Sequence, residues 1–220
     1  VSIKITASGG DFEPLPEGNY TAICYKIVDQ GTREEQFKDN PKKKRHTLNV
    51  SWEIPSEKMA DGRPMSISKT YTVSLNENAT LYKDLVTWRG TSFTKEELEG
   101  FEIDKMIGAP ATLEVEHVNE KARIKAIFKP DEFKKTATQN DPIIFDLNLY
   151  CDEFNGNTSK ETKEMCDVFD SLPEWQQTLI EESFELLAAK DGDDAEETSS
   201  SGEGLADLAN DKKEDETIPF

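Results

Sequence analysis

Histidine and cysteine are scarce. Two histidines and three cysteines occur in 220 residues. Cys24, Cys151 and Cys166 contain no Cys-x-x-Cys pair and leave one thiol over, which argues against a disulfide framework. Fourteen residues separate Cys151 from Cys166, none of them histidine, so zinc ligation is not indicated. His46 and His117 fall in strand-like runs, where a structural role is expected rather than a general base. No G-x-S-x-G, H-E-x-x-H or Walker loop is present. Carboxylates are so plentiful that any pair of them is uninformative. These absences predict a protein that is not an enzyme and needs no metal or cofactor. The first ten residues hold no apolar signal-peptide core, and no run approaches a membrane span. The expectation is a soluble chain with reduced thiols in the cytosol.

Apolar residues are also few, at 35%, low for a fully globular chain. The deficit is concentrated. Residues 190–220 carry eleven acids against three bases, and residues 171–189 add four glutamates and no base. The net charge of −19 therefore falls to −7 over residues 1–170. A uniform excess of acid would argue against nucleic acid. This uneven one does not. Residues 190–220 cannot bury enough apolar area to offset their ordering entropy, so disorder is expected there.

What remains is patterned. Residues 19–30 read as a strand rich in Tyr, Ile, Val and Thr. In the next strand His46, Leu48, Val50, Trp52 and Ile54 share one face, opposite Thr47, Asn49, Ser51 and Glu53. A third runs over 65–75 with Met65, Ile67, Tyr71 and Val73 on one face; Lys69 breaks that face, through a bulge or a ligand. The period then changes. Leu81, Leu85 and Trp88 mark a helix, with Asn76 or Asn78 as cap and Gly90 as its end. Thr94-Lys-Glu-Glu97 is a capping box opening a short second helix. Residues 111–118 and 122–128 form a hairpin around Asn119-Glu120-Lys121. Three strands, a helix and two strands predict a mainly β chain. The order matches an OB-fold, a five-stranded Greek-key barrel with its helix between strands 3 and 4. An α+β sheet sandwich is the alternative. Residues 143–150 read as a further strand or an extended strap, and 151–165 as a polar loop. A C-terminal extension helix is expected over 171–189, burying Trp175, Leu179 and Ile180 and continuing through Phe184, Leu187 and Ala188.

Two basic regions stand out. Phe37, Lys38, Lys42, Lys43, Lys44 and Arg45 fall between the first two strands. Lys121, Arg123, Lys125, Lys129, Lys134 and Lys135 lie on or just past the last hairpin. In an OB-fold these loops flank the nucleic-acid groove. Meeting across a barrel, they would give the basic track that single-stranded DNA needs. Tyr71 and its neighbour Lys69 are candidates to meet a ligand. Arg89 is placed to reach phosphate, and Tyr25, Phe37 and Phe133 are further stacking candidates. Trp52 and Trp88 are expected in the core.

The last six residues are Asp-Glu-Thr-Ile-Pro-Phe. An apolar tip on an acidic tether suits insertion into a pocket of another protein. Ile218 and Phe220 would be the anchors, Pro219 lowers the ordering cost, and Asp215 and Glu216 steer toward a basic rim. This tip resembles that of bacterial single-stranded DNA-binding proteins, with Thr217 in place of their usual acid. Ile67-Ser-Lys-Thr-Tyr-Thr-Val-Ser-Leu75, Trp88-Arg-Gly90 and Phe169-Asp-Ser-Leu-Pro173 resemble phage-encoded members of that group. The likeness extends over residues 14–180. It implies non-specific coating of single-stranded DNA in phage replication or recombination, in the cytoplasm of a host bacterium. It also implies recruitment of replication and repair proteins through the tip. The expected organisation is a DNA-binding domain over 1–170, an extension helix over 171–189 and an acidic tail over 190–220. A contrasting expectation is an acidic adaptor or DNA mimic that binds proteins and never touches DNA.

Overall fold

A computed structural model describes residues 14–36, 41–131 and 137–193. Its first three strands are β1 (Gly18–Glu35), β2 (Lys43–Lys58) and β3 (Pro64–Thr72). Helices α1 (Thr80–Arg89) and α2 (Lys95–Glu99) and a 3-10 turn at Ile103–Met106 follow. Then come β4 (Pro110–Val118), β5 (Lys121–Phe128) and β6 (Ile143–Phe145). The chain continues through α3 (Leu147–Cys151), a 3-10 turn at Asp152–Asn155, α4 (Lys160–Ser171), α5 (Glu174–Glu181) and α6 (Phe184–Asp193).

The sheet runs β3-β2-β1-β4-β5, antiparallel throughout, and β6 joins β1 in parallel. β3 and β5, the two ends of that path, lie beside each other without forming a ladder, so the sheet is not closed into a barrel. α1 packs against both of them. β1 serves two neighbours on one edge. Gly18–Ile23 pairs with β4, then Lys26–Val28 pairs with β6. Register shifts at Cys24/Lys26 and Asp29/Thr32 bend the strand between these duties.

The first core fills the inner face. Trp52, Ile54, Leu85, Leu113 and Ile127 are fully enclosed, and Trp52 meets Trp88 with ring centroids 5.5 Å apart. Leu81, Leu85 and Trp88 form the expected stripe, and Gly90 ends α1 in the left-handed conformation. The expected asparagine cap is absent. Ala79 occupies the N-cap without a side-chain bond, while the Asn76 side chain accepts the Asn78 N–H in a local turn. The Thr94/Glu97 capping box forms both of its bonds. Asn119 and Glu120 both have positive φ, the geometry of a two-residue hairpin turn that twists with its strands.

The second core differs from expectation. Residues 151–165 are not one polar loop, because a 3-10 turn and the start of α4, capped by Ser159, occupy them. The single extension helix is two helices, broken at Glu182–Ser183. Their buried stripe is Gln176, Ile180, Leu186 and Ala189, while Trp175 is 51% exposed and Leu187 is also outside. The reason lies beneath α5. Alternation in β2 ordinarily marks a half-exposed strand. Here Thr47, Asn49, Ser51 and Glu53 are buried as well, because the segment 137–193 covers that face. A polar face selects a polar cover, so Gln176 rather than Trp175 turns inward and donates to Asn49 at 3.2 Å. Arg33 donates to the Leu179 carbonyl at 3.0 Å and to Thr47 at 3.0 Å. This cover, the strap, carries its own apolar cluster of Phe145, Leu147, Tyr150, Phe169, Leu172 and Ile180, into which β1 sends Val28.

Candidate nucleic-acid interface

The outer side of the β3/β5 seam is built by strand alternation. β3 sends Met65, Ile67, Lys69 and Tyr71 inward, which leaves Ser66, Ser68, Thr70 and Thr72 exposed. β5 buries Ile124 and Ile127 and exposes Lys121, Arg123 and Lys125. Phe128, at its end, is 41% exposed. Hydroxyls and bases therefore occupy two adjacent strands. Lys125 is partly neutralised, with its ammonium 2.5 Å from the Glu114 carboxylate, a bond that raises its pKa. The hydroxyl row was visible in the alternation of β3. The adjacency of β5 was not, since it follows from barrel-like curvature rather than from any local signal.

The other basic region lies partly in a strand. Lys42 precedes β2, and Lys43, Lys44 and Arg45 are its first residues. Across the ladder they face Glu35, Glu34 and Arg33. Lys44 sits over the Phe184 ring at 4.3 Å, and Arg45 lies 3.9 Å from Glu35. These bases share their surface with acids of the neighbouring strand. Nor does the ladder bring the two regions together. Val115, close to the β4–β5 turn, pairs with Gly18, whereas Lys43 pairs with Glu35 at the other end of β1. The described bases of the two regions thus lie on β2 and β5, toward opposite ends of the β1 ladder, while Lys38, Lys134 and Lys135, which the expected meeting also needs, are outside the described residues.

Three site candidates belong to the interior. Tyr71 is buried, and its hydroxyl donates to Asp84 at 3.0 Å. Burial and then the Asp84 charge hold its pKa well above the ordinary value. Lys69 meets the same carboxylate at 2.6 Å. The β2–β3 register is unbroken from Thr47↔Thr72 to Ile54↔Met65, so the misfit at Lys69 is no bulge. It is an ion pair from the sheet to α1, which gives the misfit a structural reason. Arg89 bonds to Glu97 and lies over the rings of Phe93 and Phe101, which ties α1 to the segment after it. Tyr25 is half-buried, and Trp52 and Trp88 are core residues as expected. Phe37, Lys38, Phe133, Lys134, Lys135 and the tip from Asp215 to Phe220 lie outside the described residues.

Among the described residues no group of three His, Cys, Asp or Glu is placed to hold a metal, and no helix is long and apolar enough to cross a membrane. No family model matches the chain, and no curated protein matches it.

Proposed function

We propose that this chain is a non-sequence-specific single-stranded DNA-binding protein built on an OB-fold opened between β3 and β5. The observation that carries the reading is the outer β3/β5 surface, two neighbouring strands of which β3 exposes Ser66, Ser68, Thr70 and Thr72 and β5 exposes Lys121 and Arg123. Ammonium and guanidinium groups take phosphates there, hydroxyls supply undemanding donors, and Phe128 offers a ring on which a base gains about 1–3 kcal/mol. Supporting it are the element order, three strands, helices and two strands, and the path β3-β2-β1-β4-β5. Lys42, Lys43 and Lys44 extend the basic surface to the far end of β1. Ile218 and Phe220 enter a pocket on replication or recombination proteins, with Asp215 and Glu216 steering toward a basic rim and Pro219 stiffening the tip. The setting is a phage-infected bacterium, and the chain coats and protects exposed strands.

Mobility shifts with single-stranded and duplex oligonucleotides across a salt series test this. Preference for single strands that weakens steeply with salt is expected. Equal binding to both, or indifference to salt, overturns it. A second reading, a protein-binding adaptor that never touches DNA, draws on Glu34 and Glu35 facing Lys44 and Lys43 across the ladder. Charge reversal at residues 42–45 discriminates. It weakens DNA binding under the first reading, and DNA binding is absent from the start under the second.

A further inference from the structure

Where β3 ends, the sheet and the strap leave a cleft of about 510 Å³ between them. Leu48, Leu81 and Leu85 line it from the first core, and Phe145 lines it from the second. Val73 and Ile144, 46% and 40% exposed, are the apolar side chains it presents to solvent. Asp29, Glu102, Asp104 and Asp146 also line it, and no Lys or Arg does; His46 is its single basic side chain. Asp29 and Asp146 each spend only Oδ1 in hydrogen bonds among the described residues, on Gly31 and His46 and on the start of α3 respectively. Glu102 pairs with Lys105, which stands outside the lining. The cleft thus combines apolar walls with a surplus of carboxylate.

We infer that this cleft is a docking site for a short partner-protein segment in which apolar side chains are flanked by lysine or arginine. Its size falls in the range of ligand sites, roughly 300–1,000 Å³. Low-dielectric walls focus the field of the carboxylates left in surplus after Asp29 meets His46 and Glu102 meets Lys105, so a cation is favoured at the rim. A bare cation would leave the apolar walls unfilled. Nucleic acid and the chain's own acidic tip, with Asp215 and Glu216, carry the wrong charge. A segment bearing both features satisfies walls and rim together. The inference is independent of the DNA-binding reading.

Isothermal titration of the full chain with the acetylated, amidated pentapeptide Lys-Leu-Phe-Leu-Lys tests it. Saturable one-to-one binding is expected, and none with Glu-Leu-Phe-Leu-Glu. Val73→Lys places a charge in the cleft and weakens binding by roughly tenfold. Val118→Lys adds the same charge on the β4–β5 hairpin, outside the cleft, and leaves binding within about twofold. Both positions are solvent-exposed, and thermal melts separate lost binding from lost fold. If Val73→Lys melts low, Ile144→Lys repeats the test from the strap side. Absent saturation, equal losses in the cleft and hairpin variants, or capture of the acidic peptide overturns the inference.

Discussion

Glu53 lies in the middle of β2 with 1% of its surface exposed. Its carboxylate accepts the backbone N–H groups of Gln139 and Asn140, at 3.0 and 2.8 Å, and the Asn140 side-chain amide at 2.7 Å. Three donors converge on one side chain, and all of them begin the strap. Glu53→Ala strands those donors and is expected to cost roughly 3 kcal/mol. Glu53→Gln keeps one acceptor oxygen and costs less, which urea unfolding of both variants checks. His46 makes the corresponding link at the far end of the strap. Its Nε2 is 2.6 Å from Asp29, and its Nδ1 is 3.8 Å from Glu185 of α6. The hydrogen bond to Asp29 is the main cause of its raised pKa; the Asp29 and Glu185 charges add to it, while burial and Arg33 oppose it. A raised folded value means that the stabilisation is fully present below about pH 6.5 and is lost as pH rises through that higher value. Thermal melts should therefore show wild type losing stability, relative to His46→Asn, as pH rises from about 6.5 through the raised value. Parallel curves would mean that the imidazolium contributes nothing.

At the scale of elements, the strap is attached to the sheet mainly by polar bonds and packs its apolar groups largely on itself. Gly31 marks how closely the two approach. Its φ is +68°, and a Cβ there would lie 2.5 Å from both the Leu147 methyl and the Ser183 Cβ. Gly31→Ala combines backbone strain with overpacking and is expected to cost roughly 3 kcal/mol. Gly62→Ala, at φ +87° with open space around it, carries strain alone and should cost roughly 1 kcal/mol. Equal costs in chemical denaturation would show that the strap yields freely at Gly31. Local signals were legible in the sequence: the Thr94/Glu97 box, the glycine stop at Gly90, the Asn119-Glu120 turn and the alternation of β2 and β3. The strap was not. α4 buries Thr162 and Phe169, a pattern too sparse in apolar residues to register as a helix. Gln176 faces inward because Asn49 lies beneath it, and the two are 127 residues apart. Lys69 was legible as a misfit, yet its reason, Asp84, stands on a different element. For the candidate site the bases and hydroxyls were readable one by one. Their grouping depends on which strand edges face each other without pairing.

Over the whole molecule the charge is divided, with −12 of the −19 in residues 171–220. The remaining chain carries bases in surplus only locally, so each base counts according to the acid beside it. Lys121 and Arg123 have no ion pair among those described, whereas Lys125 already spends its charge on Glu114. Counterion release makes this distinction measurable. Each phosphate neutralised on single-stranded DNA contributes about 0.7 to the slope of log affinity against log salt. The double variant Lys121→Ala, Arg123→Ala should therefore flatten that slope by about 1.4. Lys125→Ala should change it by less than half as much, because the lysine must first leave Glu114 to meet a phosphate. Fluorescence polarisation of a labelled oligo-dT across a salt series reads both values. If all three bases contribute alike, the Lys125–Glu114 pair opens freely and the track is wider than its unpaired charges. If the double variant leaves the slope unchanged, the outer face of β5 is not where phosphate binds.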